Sequence, residues 1–352
     1  MVILISVAAA VSSPNGGSEF LEKCSSNVDC AAELLFEQCA RSTVTNPFKI
    51  VNTSLPFNKY AFLTTHNSYA IGSGPLLDAA PRVTFTNQED SITEQLKKVE
   101  MKNTVTLNMQ NGVRALMLDT YDYKGDIWMC HSFKGVCYDY TAFKPAIGYL
   151  KEVEAFLSSN PSEIVTLILE DYVQSPKGLT KLFNDAGLMK YWFPVSRMPN
   201  NGGDWPLVND MIAKNQRLVV FGSKKDKEKN GNDGEVKGKC SQRQESSPLN
   251  DKTKSLVLVN HFRTVPVKAL AAKDNSHDLI DMLSTCYGAA GNRWANFVAV
   301  DFYKRCQGGG PFEATDKLNG RLICGCDDLQ ACSLLGLIAA LSPCFTCHIC
   351  YI

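Results

Sequence analysis

Apolar runs separated by stretches of helical periodicity set the architecture of this chain. Phe57–Thr65, ending in the apolar and β-branched run Ala61–Thr65, reads as a first strand. Val113–Leu118, Trp128–His131, Ile164–Leu169, Arg217–Phe221, Ser255–Asn260 and Phe297–Asp301 repeat the theme. Most are continuous runs rather than alternations of apolar and polar residues, as expected of strands covered on both faces. Between them, Phe143–Leu157, Gly178–Ala186, Pro206–Lys214 and Asp278–Tyr287 read as helices, and Asn160-Pro161 stops the first of these. Ser91, with Glu94 three residues on, predicts a capping box at the start of a further short helix. Gly72–Ser91 reads as a surface loop, and Lys224–Lys239, rich in Lys, Asp, Asn and Gly, as a solvated one. Strands and helices in this alternation predict a parallel sheet enclosed by helices, an α/β barrel.

The strand ends carry the chemistry. His66 and Asn67 follow the first strand, Asp119 and then Cys130-His131 follow the second, and Glu170-Asp171 end the run Ile164–Leu169. In a parallel sheet reactive side chains gather where strands end, so these residues point to one pocket. Two histidines beside carboxylates are suited to divide the work of a base and an acid. Arg114, early in its strand, reads as structural, paired with a carboxylate across the barrel. Asp171 faces away from Glu170 if the strand continues, which leaves it a supporting place.

Composition narrows the class. The 352 residues exceed the usual single domain, and one large catalytic domain with a small appendage is the economical count. Lys plus Arg and Asp plus Glu balance at 36 each, so no overall field recruits nucleic acid. Of the fourteen cysteines, eleven cluster as Cys24/Cys30/Cys39, Cys130/Cys137 and Cys324/Cys326/Cys332, with Cys344/Cys347/Cys350 behind them. With the glycosylation sequon at Asn52, they read as secreted disulfides; zinc at Cys344, Cys347, His348 and Cys350 is the weaker reading, because no second pair precedes it. Residues 1–17, opening on the apolar run Met1–Val11, read as a signal segment, and 18–45 as a small Cys-rich segment. Ser333–Ile352 is apolar for about the length of a membrane span. With Pro343 and three Cys it reads as a removed lipid-anchor signal or an aberrant terminus rather than a spanning helix.

FLTTHNSYA, GVRALMLDTYD, MCHSFKG, EIVTLILEDY and NRWANFVAVDFY, in that order, resemble the plant branch of the phosphatidylinositol-specific phospholipase C X-domain family, within the barrel phosphodiesterases. The resemblance runs from about Asn46 to Cys332, and residues 46–332 are taken as the barrel. It implies a distorted TIM-like barrel and a phosphoric diester hydrolase acting on a phosphatidylinositol-type lipid at a membrane surface. It implies that His66 takes the proton of the inositol 2-hydroxyl and that His131 protonates the leaving alkoxide, giving a cyclic inositol phosphate. It also implies a Ca²⁺ site, with Mg²⁺ second, at Asn67, Asp119 and Glu170, and a phosphate contact from Lys224 or Lys225. Met117 stands where metal-dependent relatives carry a further acid, so the site is short of one ligand. Extra sequence at 96–110 and missing sequence around 230–239 also depart from the family pattern. The competing reading is a cell-surface barrel that binds a lipid head group or protein partner without turnover.

Overall fold

The computed structural model describes residues 44–50, 53–72, 84–97, 112–132, 134–223, 238–240, 247–306, 308–327, 329 and 332. The readings of the signal segment, the Cys-rich segment, Asn52, Lys224, Lys225, the C-terminal tail and most of the inserted and shortened stretches lie outside these residues.

Eight strands form one sheet: β1 (Phe62–Thr65), β2 (Ala115–Tyr123), β3 (Asp126–Cys130), β4 (Ala142–Pro145), β5 (Val165–Tyr172), β6 (Leu218–Ser223), β7 (Leu258–His261) and β8 (Phe297–Val300). Six of them run parallel in the order β7-β8-β1-β2-β5-β6. Among the described residues no ladder joins β6 to β7, so the ring is an unclosed, distorted barrel. The chain between those strands includes the stretch rich in Lys, Asp, Asn and Gly, whose sequence offers no apolar run for a further strand.

Two sequence readings need correction. Trp128–His131 belongs to an antiparallel hairpin, β2-β3, not to the parallel set. Phe143 lies in β4, which pairs with β3, and the helix begins only at Ala146; Pro145 precedes it and suits the extended side of a helix start.

The helices are α1 (Pro47–Ile50), α2 (Ile92–Leu96), α3 (Ala146–Ser159), α4 (Gly178–Asp185), α5 (Val208–Ala213), α6 (Lys268–Lys273), α7 (Leu279–Ala289) and α8 (Gly310–Ile323). Ser91 and Glu94 do form the capping box of α2. Alternate strand residues face outward: Leu116, Leu118, Leu167 and Val298 share one core with Leu150 and Val153 of α3 and Leu283 of α7. The opposite set faces the interior. Its lower end is an aromatic plug of Phe57, Phe62, Trp205 and Phe297, with ring centroids 5.0 to 6.4 Å apart. The plug fills the barrel at the amino ends of the strands, and the two histidines lie toward the other end.

Arg114 pairs with a carboxylate, but that of Glu163, which precedes the neighbouring strand rather than lying across the barrel. Its Nε donates to Glu163 Oε2 at 2.9 Å, and its Nη1 to the carbonyls of Leu96 and Val113. Asn46 donates to the other Glu163 oxygen at 3.0 Å.

Candidate active site

Strand register decides which residues meet. Thr65 pairs with Val300 and Thr64 with Ala115, so His66 arrives level with Asp301 on one side and Met117 on the other. Asp119 pairs with Glu170, and Glu170 with Ser223, one step nearer the mouth. The hairpin brings β3 back antiparallel, with Met129 opposite Thr120, so His131 returns to the height of the same site. The disulfide Cys130–Cys137 closes the short loop behind His131.

His66 is gripped on three sides. Its Nδ1 lies 2.9 Å from Asp301 Oδ1, and its ring stacks on Phe262 with centroids 3.6 Å apart and planes within 4°. Asn87 donates to the same Asp301 oxygen at 2.9 Å. Gln88 staples the ends of β1 and β8 by donating to the carbonyls of His66 and Val300. A carboxylate only accepts, so Nδ1 carries the proton and the Nε2 lone pair is left for chemistry. Asn67 turns the chain away with φ +41°, in the left-handed region that Asn tolerates.

His131 Nδ1 sits 3.0 Å from the Phe85 carbonyl, which likewise makes Nδ1 the donor and frees Nε2. Burial pushes the His131 imidazole below its ordinary value, and the nearby charge of His66 adds to this, against the Phe85 carbonyl, Asp301 and Glu170. The two imidazoles thus share one field.

With its amide oriented so that the nitrogen rather than the oxygen faces the carboxylate, Asn67 donates to both Asp119 oxygens, at 3.1 and 3.2 Å, and Tyr69 Oη donates to Asp119 Oδ2 at 3.0 Å. Glu170 stands beside Asp119 on the neighbouring strand and accepts from Tyr172 Oη at 3.4 Å. Met117 is buried, with Ile168 as its ladder partner and Phe221 one strand further, so the floor under the acids is apolar. Among the described residues no group of three or more His, Cys, Asp and Glu side chains converges as a metal shell. Two carboxylates and one amide supply too few oxygens to fit Ca²⁺ completely, since that ion takes about six to eight. Asp171 follows Glu170 in β5 and accepts from the Val173 backbone at 2.9 Å, which shapes the strand end.

Asp301, Asn87 and Phe262 are the site residues that sequence reading did not single out. Asp301 had a signal, standing at the end of an apolar run as His66 does. Asn87 lay in a stretch read as surface loop; it is buried, as is Gln88, because the loop folds back onto the strand ends. Phe262 carried no signal, since its role is a ring contact made across the sheet.

The titrating groups give an acid-stability profile. Burial pushes His131 and His261 below the ordinary imidazole value of 6.5, so on acidification the unfolded chain takes up protons before the folded one and stability falls. Glu89 would be raised by burial, but hydrogen bonds from Arg305 and Lys268 outweigh this and hold it low; the Ser91 backbone and hydroxyl hold Glu94 low. Their contribution is present above 4.5 and is lost as the pH falls toward their folded values. Denaturant midpoints measured from about pH 8 to about pH 4 are expected to decline in two stages. A midpoint that stays flat down to about pH 5 contradicts the burial of the two histidines.

The fold is thus a parallel α/β barrel that gathers two imidazoles and a buried carboxylate at the carboxyl ends of its strands. The family model described as PI-PLC X matches residues 55–233, and the chain belongs to the PI-PLC X domain family. The PI-PLC X domain-containing protein At5g67130 of Arabidopsis thaliana is 47% identical over 94% of this chain and 80% of its own length. An uncharacterized secreted protein of Arthroderma benhamiae is 29% identical over 33% of this chain and 26% of its own. The phosphatidylinositol-specific phospholipase C from Listeria monocytogenes aligns over 73% of this chain and 93% of its own, at 13% identity and a TM-score of 0.46.

Proposed function

We propose that this protein is a phosphoric diester hydrolase that cleaves a phosphatidylinositol-type phospholipid. The observation that supports it is the His66–Asp301 pair, with Nε2 free, in the same field as His131. His66 Nε2 accepts the proton of the inositol 2-hydroxyl as that oxygen attacks phosphorus. The bond from phosphorus to the glycerol oxygen breaks, and His131 gives that oxygen its proton. The products are a cyclic inositol phosphate and diacylglycerol, and the two imidazoles end with exchanged protonation states.

No step of this scheme runs through a cation. A Ca²⁺ ion held by Asn67, Asp119 and Glu170 remains a separate proposal, as does a phosphate contact from Lys224 or Lys225, which follow β6 in sequence. Hydrolysis of purified phosphatidylinositol, followed with Ca²⁺, Mg²⁺ or chelator, tests the first two, and the same assay on Lys224→Ala and Lys225→Ala tests the third. Cyclic inositol phosphate is the expected product, and loss of turnover on chelation assigns the cation. Absence of turnover on every phosphodiester by folded protein sinks the enzyme reading. The buried Met117 favours the second reading, a head-group or protein binder, which that outcome would leave standing.

The site faces a lipid surface in this reading. Phe85, Val136 and Tyr140 are exposed beside His131, and Val265, Val267 and Leu270 are exposed just beyond β7 and Phe262. Exposed apolar side chains on two segments flanking one site are suited to interfacial lipid. Val265→Asp and Leu270→Asp are each expected to weaken binding to phosphatidylinositol vesicles about tenfold, in line with losing one buried aliphatic side chain. Val195→Asp, near the amino ends of the strands and 73% exposed, is expected to leave it unchanged. Equal loss in all three refutes an oriented surface.

Secretion or cell-surface residence is proposed on three disulfides among the described residues, Cys130–Cys137, Cys240–Cys286 and Cys324–Cys332. The secreted fungal relative agrees with it. Among the described residues no helix is long and apolar enough to cross a membrane. A lipid anchor added at the tail and a glycan on Asn52 complete the proposal.

A further inference from the structure

We infer that Asn275 is a positioning residue for the His66–Asp301 pair. Its kinetic consequence rests on the acid–base reading above, whereas its structural consequence does not. The chain between α6 and α7, Asp274–Asp278, is a kinked turn joining the two helices, in which Ser276 leaves helical geometry at φ −94°, ψ −134°.

This turn clasps two strand ends together. Asn275 is buried, and its amide nitrogen donates to the carbonyls of Asp301 at 2.9 Å, Phe302 at 3.2 Å and Arg305 at 3.0 Å. Two amide protons are shared among three acceptors, and all three acceptors lie in the turn after β8. Phe302 within that turn takes φ +44°, a conformation that the surrounding hydrogen bonds must hold in place. On the other side, the Asp274 carbonyl lies 2.7 Å from His261 Nε2, and the Asp274 carboxylate accepts from Arg263 at 2.5 and 2.6 Å. His261 and Arg263 bracket Phe262, whose ring covers His66. The clasp therefore fixes both groups that hold the imidazole, Phe262 against its face and Asp301 at its edge.

A buried asparagine that merely supports the fold makes a different prediction, and the chain holds a control for it. Asn296 is equally buried at the opposite end of the barrel; it donates to the carbonyls of Asn58 and Tyr60 and accepts from the Val257 backbone. Asn275→Ser and Asn296→Ser each remove a comparable set of hydrogen bonds, so their thermal stabilities are expected to fall together.

The decisive readout is the low-field NMR resonance of the His66 Nδ1 proton in ligand-free protein, beside kcat and KM. Asn275→Ser is expected to broaden or move that resonance and to lower kcat roughly ten- to a hundredfold, with KM unchanged, the scale of a small misplacement of a reacting group. Asn296→Ser is expected to leave both at the wild-type values. Arg263→Gln, a change at the more exposed end of the clasp, gives the same signature more weakly and serves if Asn275→Ser does not fold. An unmoved resonance in a folded Asn275 or Arg263 variant, or equal movement in the Asn296 variant, overturns the inference. If the wild-type protein turns over no phosphodiester, the resonance alone decides, and the enzyme reading fails separately.

Discussion

His66→Ala and His131→Ala are each expected to lower turnover of phosphatidylinositol by about a hundred- to ten-thousandfold, the usual worth of one positioned proton-transfer group. The two losses arise differently. Without His66 the inositol hydroxyl keeps its proton at the moment of attack; without His131 the glycerol oxygen leaves as an alkoxide. Because both act in one step, the double variant is expected to lose little more than the worse single one. Asp301→Asn is expected to fall nearly as far as His66→Ala. An amide at that position donates as well as accepts, so it permits the tautomer with the proton on Nε2, where the lone pair is needed. The measurement is initial-rate formation of cyclic inositol phosphate, with circular dichroism to show that each variant is folded. Retention of wild-type rates by either histidine variant refutes the assignment.

Glu163→Ala is expected to destabilise the protein by about 3 to 5 kcal/mol, the largest stability effect of any single surface-remote change considered. Arg114 and Glu163 are both nearly buried, with side chains 10% and 2% exposed, and their pair joins the start of β2 to the start of β5. Removing the carboxylate leaves the guanidinium buried over the Phe156 ring with only two carbonyls as partners among its hydrogen bonds described above. Removing both charges relieves the problem, so Arg114→Met combined with Glu163→Leu is expected to lose less than either single change. Urea denaturation of Glu163→Ala, of Arg114→Met and Glu163→Leu singly, and of the double variant measures this. A Glu163→Ala loss below about 1 kcal/mol, the range of exposed pairs, shows that water reaches the pair.

The strands were legible because each is an apolar run between helical stretches, and runs of that kind form wherever both faces of a sheet are covered. β5, β6 and β8 lie within a few residues of the places read from sequence. β4 was missed because Phe143 and Pro145 precede a helix whose periodicity, extended backwards, absorbs them; only pairing with β3 reveals a strand there. The hairpin was read as parallel for a related reason, since direction is a property of the partner strand and not of the segment itself. The loop before Ser91 looked exposed because Asn and Gln are usually solvated. Asn87 and Gln88 are buried because each satisfies its polar groups on Asp301, His66 and strand carbonyls, which the local sequence does not encode.

The sequence by itself determined the parallel α/β architecture, the family, and the two histidines and two acids at strand ends, because periodicity and short ordered motifs are properties of neighbours along the chain. The tertiary structure decided which groups work together. Register set His66 against Asp301 rather than against Asp119, turned Asn67 and Tyr69 onto Asp119, and left Met117 in an apolar floor. The physical reason is that register, ring stacking and hydrogen-bond partners are fixed by contacts between segments far apart in sequence. A neighbour 235 positions away, as Asp301 is from His66, leaves no trace in local composition.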